Sequence, residues 1–230
     1  VRAMPKSASA LAARGRHWQQ IGEHYRGEWG QSDEQFRLRG IAKEEARRNL
    51  EQALSLDPVS TITHTWLIEV GGGSQTLEER AAEALRIAPH SYAIRWAYIA
   101  RQGPKWGGTV EATRIAAEDA RQYEDKDERL KAFRAFVDYV VADAHSMRGE
   151  YGEALRHADA ALLKGDLNYV RRLRVLALID DRRFREAEKE LDVLEARQFW
   201  PAWVFSQRGE IKAEQRDFAS ALAFYQRSLD

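Results

Sequence analysis

Gly149-Glu150-Tyr151-Gly152-Glu153-Ala154-Leu155, Arg182-Arg183-Phe184-Arg185-Glu186-Ala187 and Arg216-Asp217-Phe218-Ala219-Ser220-Ala221-Leu222 share one design. Each has a turn, an aromatic, two residues and an alanine, and the alanines lie 33 and 34 residues apart. The aromatic closes a hinge between two antiparallel helices, and the alanine lets their backbones approach. Four and seven residues beyond each alanine stand Ala158 and Ala161, Leu191 and Leu194, Tyr225 and Ser228. That spacing is the buried stripe of a second helix. A lone helix pair cannot cover both of its faces, so the pairs must stack on one another.

The same plan, drawn more loosely, runs through the first half. Ala46, Leu50, Ala53 and Pro58 close one unit, ending in Leu56-Asp57-Pro58, and Glu83 to Pro89 repeats that ending 31 residues later. Five prolines fall where helical periodicity starts or stops, as the cost of about 3 kcal/mol inside a helix requires. No alternating strand pattern persists. The reading is all-α, with helices near 7–27, 33–56, 59–70, 75–88, 90–102, 109–123, 127–148, 151–164, 167–181, 184–196, 201–215 and 218–229. Looser units occupy 1–124 and regular ones 125–230, the two blocks together forming one array or two sub-blocks.

This pattern resembles the tetratricopeptide repeat, a 34-residue helix–turn–helix unit with small residues at its eighth, twentieth and twenty-seventh positions. Ala142, Ala154 and Ala161 match all three in one unit, and Gly209 with Ala221 match two in the last. Val175 and Leu194 depart from the pattern. The resemblance implies a right-handed α-solenoid of about six helix pairs. Residues 8–120 also resemble a bacterial tetratricopeptide-like group of unknown function that carries a Pro-Arg-Trp-Gly-Gly-Ser turn. Here the turn reads Pro104-Lys105-Trp106-Gly107-Gly108-Thr109, with Lys and Thr replacing Arg and Ser. That resemblance implies no activity.

Lys plus Arg equals Asp plus Glu, 36 against 36, so no long-range field attracts nucleic acid or an anionic membrane. Cysteine is absent, which removes disulfides, thiolate metal sites and a thiol nucleophile. No stretch approaches the roughly 18 apolar residues of a spanning helix, and Val1-Arg2-Ala3-Met4-Pro5-Lys6 has no signal-peptide core. The expected place is the cytoplasm, or the periplasm if the chain is a processed fragment, as a start on Val1 allows.

The turn at Pro104 has two readings. In one it is an exposed loop gripping a partner or an anion. In the other it is a tight turn with Trp106 packed into the hinge and Thr109 capping the next helix. Gly71-Gly72-Gly73-Ser74 reads as a flexible hinge; like the other glycine turn, it lacks the strand and Lys-Ser/Thr of a phosphate cradle. His17, His24, His64, His90, His145 and His157 show no metal-type spacing on one helix, His17 and His24 being seven apart with Glu23 and Glu28 nearby. No metal or cofactor is expected. Carboxylates are interleaved with bases, as on solvated helix faces, and no Gly-x-Ser-x-Gly turn exists. No enzymatic site emerges.

Trp18, Tyr25 and Trp29 fall at near-helical spacing, Trp96 stands alone, and Trp200 and Trp203 flank Pro201. Most of these rings belong to the core. In stacked repeats, however, the first helix of each pair lines the concave face. The repeat frame places Phe136, Tyr139, Asp143, Tyr169, Arg172, Leu176, Asp180, Trp203, Gln207 and Glu210 there. Aromatics beside Arg and Gln suit a peptide groove. The expectation is therefore a scaffold or adaptor holding a peptide or helix of another protein. The alternatives are an immunity or regulatory protein that covers an enzyme, or an enzyme using the groove or the Trp106 loop. Asp230 ends a second helix with no polar cap after it, so self-association through that edge is also expected.

Overall fold

The computed structural model describes residues 7–25 and 32–229. Glu28, Trp29, Asp230 and the expected end of the first helix at residue 27 lie outside the described residues. Among the described residues every regular element is helical: α1 (Ala8–His24), α2 (Asp33–Leu56), α3 (Thr61–Val70), α4 (Leu77–Ile87), α5 (Tyr92–Arg101), α6 (Val110–Arg121), α7 (Phe133–Ser146), α8 (Tyr151–Lys164), α9 (Asn168–Asp180), α10 (Phe184–Ala196), α11 (Pro201–Glu214) and α12 (Phe218–Arg227). Short 3-10 turns stand at Pro104–Trp106 and Glu128–Ala132. The second of these takes up the start of the helix expected from residue 127, so α7 begins only at Phe133.

Side-chain caps start several helices by satisfying orphan backbone N–H groups. Ser32 with Gln35 and Thr76 with Glu79 form reciprocal capping boxes for α2 and α4. Ser7, Ser91 and Asp217 cap α1, α5 and α12. The first helices of the regular pairs, α7, α9 and α11, end by one device. Gly149, Arg182 and Arg216, at the same place in successive units, all take positive φ. The residue after each donates back to the carbonyl five positions earlier, Glu150 to His145, Arg183 to Leu178 and Asp217 to Lys212, at 2.8–3.0 Å. This is the Schellman turn, which closes a helix and reverses the chain.

The described chain divides into two compact units. One comprises the described residues of Val1–Gln102 together with Ala120–Leu130. Within it α1 packs on α2, α2 on α3, α3 on α4 and α4 on α5, while α3 also meets both α1 and α5. Leu50, Leu67 and Val70 form one core with Trp18 and Trp66 against it; Ile68, Ala84 and Ile94 form another. The loop at Gly71 is tied down rather than free: buried Arg80 donates to the Gly72 carbonyl at 3.0 Å. All three glycines there have positive φ, a conformation that favours glycine.

The other unit comprises Gly103–Asp119 and Lys131–Asp230. Here α7 pairs with α8, α9 with α10 and α11 with α12, and α8 meets α9 as α10 meets α11. Ala154 and Ala187 share one core with Leu178, Leu191, Val204 and Ile211, and Ala221 is buried likewise. At Gly209 a Cβ would stand 2.7 Å from the Tyr225 ring, so α11 and α12 meet too closely for a side chain there. The stripe expected on α12 is only partly covered. Phe218 is 69% and Tyr225 38% exposed, because no described helix packs over that side as α9 and α11 pack over Tyr151 and Phe184.

Candidate functional site

In the second unit α7, α9 and α11 are the first helices of their pairs, and their spacing of 33 and 34 residues carries side chains into rows. Phe136, Tyr169 and Trp203 form an aromatic row. Tyr139 and Arg172 stand one turn further along, with Gln207 beside that row. Asp143, Leu176 and Glu210 follow, and Asp180 and Glu214 lie beyond them, 34 residues apart.

Contacts run along and between these rows. The Phe136 and Tyr139 rings lie 5.2 Å apart, and Tyr169 meets Phe199 and Trp200 edge-on at 5.5 and 6.1 Å. Arg172 has its guanidinium carbon 5.3 Å from the ring centres of both Trp200 and Trp203. A guanidinium between two indoles is held by cation–π attraction and by area. Its Nε is buried without an acceptor. The sequence frame included Trp203 but omitted Trp200, whose signal was the pair of tryptophans around Pro201. Trp200 has φ 48°, unusual for a bulky residue, and stays half exposed while stacking on Phe199 at 5.1 Å.

Burial pushes the Tyr139 phenol up to about 12, with Asp143 adding to the effect and Arg172 opposing it. Burial likewise pushes the Asp143 carboxyl up, against the pull of Lys105 and Arg172. Lys105 therefore belongs to this neighbourhood, brought there by the turn Pro104–Trp106, which packs on α7. Farther along, burial raises the Glu210 carboxyl, and Asp180 and Glu214 raise it further; the hydrogen bond from Gln207 pulls the other way. Gln207 is buried and its Oε1 has no partner. Asp143, Asp180 and Glu210 form no ion pair, in contrast to Glu188 and Glu190 of α10, which pair with arginines of α9 and α11. Among the expected face residues Phe136 is instead buried, and Trp203 packs partly against the core.

The turn itself resolves into a mixture of its two readings. Gly107 takes φ 87° while Gly108 does not need positive φ, and Thr109 Oγ1 accepts from Ala112 N at 3.0 Å as a helix cap. Trp106 is 44% exposed and so is not enclosed in a hinge. A Cβ on Gly103 would meet Val140 of α7 at 3.3 Å, which fixes how closely the turn approaches.

A second constellation lies where α7 and α8 pair. His145, Glu153 and His157 offer ligand atoms all within 4.8 Å of one another. His145 comes from the last turn of α7, whereas Glu153 and His157 are four apart on α8. Spacing along one helix could not reveal this group, because the antiparallel pairing creates it. No family model matches the chain, and a search of curated proteins finds no match.

Proposed function

We propose that the chain is a tetratricopeptide-type repeat, coiled as a right-handed solenoid, and that it works as an interaction module. A segment of a partner protein lies across α7, α9 and α11 of the second unit. The repeat reading is supported by the recurrence of one Schellman turn at Gly149, Arg182 and Arg216 and by buried alanines at matching positions.

The observation that carries the binding reading is Arg172, clamped between Trp200 and Trp203 with an unsatisfied buried Nε. Unmet donors and acceptors in a half-buried face cost free energy until a ligand meets them. Arg172 Nε lacks an acceptor and Gln207 Oε1 lacks a donor, while burial raises the carboxyls of Asp143, Asp180 and Glu210. The complementary segment presents an aromatic or large aliphatic anchor to the ring row. It sets a Lys or Arg against the acidic row and a backbone carbonyl against Arg172. Rigid aromatic anchors with flanking polar groups are how such interfaces concentrate their affinity.

Selection from a randomised displayed peptide library against the full chain tests this. Enriched peptides are expected to combine a basic residue with an aromatic or aliphatic one. Arg172→Ala and Trp200→Ala are each expected to weaken them about tenfold or more, equivalent to roughly 1.4 kcal/mol, with unchanged helical circular dichroism. Absence of enrichment, or unchanged affinity in both variants, overturns the assignment.

A further inference from the structure

We propose that His145, Glu153 and His157 form a binding site for a first-row divalent transition ion of the zinc type. This inference is independent of the partner-binding reading and uses different residues of the second unit.

Two imidazoles and one carboxylate are a donor set that suits such an ion, with nitrogen and oxygen bonds of about 2.0–2.2 Å. The three ligand atoms already lie within 4.8 Å of one another, so small side-chain rotations would bring them to one centre. The two imidazole rings stand nearly parallel, with centres 5.4 Å apart and planes at 10°. They come from two helices held together by the fully buried Ala142, Ala158 and Ala161, so their separation is set by packing rather than by a loop.

The surroundings are arranged as at a metal centre. His145 Nδ1 lies 2.5 Å from Glu150 Oε2. An ion held by Nε2 would select the tautomer that donates Nδ1–H to that carboxylate, the outer-shell arrangement that orients metal-bound histidines. Arg148 in turn grips the same Glu150 oxygen at 2.9 and 3.1 Å, and its Nη2 is 3.1 Å from His145 Nδ1.

Beside two of the three ligands a cation already stands. Arg156 Nη2 donates to Glu153 Oε2 at 2.5 Å and lies 3.1 Å from His157 Nε2. An Arg nitrogen can only donate, so His157 Nε2 presents a lone pair toward the same point as the Glu153 carboxylate. The Arg156 side chain is 65% exposed and free to swing into solvent when an ion takes its place. Three protein ligands would leave the remaining positions to water. The chain has no cysteine to compete for the metal.

The test uses the full chain without a histidine tag, titrated calorimetrically with Zn²⁺, and with Co²⁺ followed by its visible absorption. One equivalent is expected to bind. His145→Ala and His157→Ala are expected to abolish this binding, while Glu150→Gln weakens it about tenfold through the outer shell. Arg156→Ala is expected to tighten it, because the competing cation is gone; a site of exposed histidines unrelated to this geometry would not respond to that change. No saturable binding at millimolar Zn²⁺, or an affinity unchanged from the parent in both histidine variants, overturns the site.

Discussion

At the scale of single residues, the turns after α7, α9 and α11 are built alike from unlike side chains. Gly149 takes its φ of 73° without strain, whereas Arg182 and Arg216 are forced to 58° and 62°. An L-residue in that region costs roughly 1–2 kcal/mol, and glycine gives back about 0.5–1 kcal/mol through its freer unfolded chain. Arg216→Gly is therefore expected to stabilise the protein by about 0.5 kcal/mol, read from urea unfolding. The sequence signal for this was only partial. Gly149 advertises a positive φ, but the two arginines hide it, and the conformation is imposed by the hydrogen bonds that close the helix.

At the scale of elements, the pairs of the regular half are tied by ion pairs that span more than one helix. Asp166, between α8 and α9, accepts from Arg171 at 2.6 Å and from Arg197, just past α10, at 2.6 and 3.1 Å. Glu190 of α10 accepts from Arg171 and Arg174 of α9. Hydrogen bonds from Arg171, then Arg197, hold the Asp166 carboxyl well below the usual carboxylate range. A lowered carboxyl stabilises the fold above its unfolded value of about 3.9 and loses that contribution as the pH falls toward the folded value. Asp166 is solvent-exposed, so the network is screened. Asp166→Asn is expected to cost about 0.5–1 kcal/mol at pH 7. The gap between variant and parent should close as unfolding is repeated below about pH 4. Asp143 has the opposite sign: its raised carboxyl disfavours the ionised fold at neutral pH, and that penalty disappears on acidification. The two carboxyls therefore contribute to stability at neutral pH with opposite sign.

At the scale of the whole molecule, the charges balance at 36 against 36 and the isoelectric point is near 7.2. Such a protein repels its own copies least near neutrality. Solubility in polyethylene glycol precipitation is expected to pass through a minimum close to pH 7 and to rise on either side. Among the described residues no helix is long and apolar enough to cross a membrane. Each unit carries its own buried core, and the proposed binding face and metal centre both lie in the second unit.

The helices and their order were legible from the chain alone. Proline positions and a 33–34 residue recurrence of aromatic and alanine are local or strictly periodic signals, so α2, α8 and α10 end where the pattern ends. Periodicity likewise brought Tyr139, Arg172, Trp203 and Glu210 into one frame, because a regular stack converts spacing into position. What needed the folded chain were the features without a period. The pairing of α7 with α8 sets His145 beside Glu153 and His157; the Pro104 turn puts Lys105 near Asp143; Phe136 becomes buried and Arg172 is enclosed by Trp200. Each depends on which atoms water can no longer reach and which side chains meet across helices. Those quantities arise from packing in three dimensions, and spacing along a single chain does not contain them.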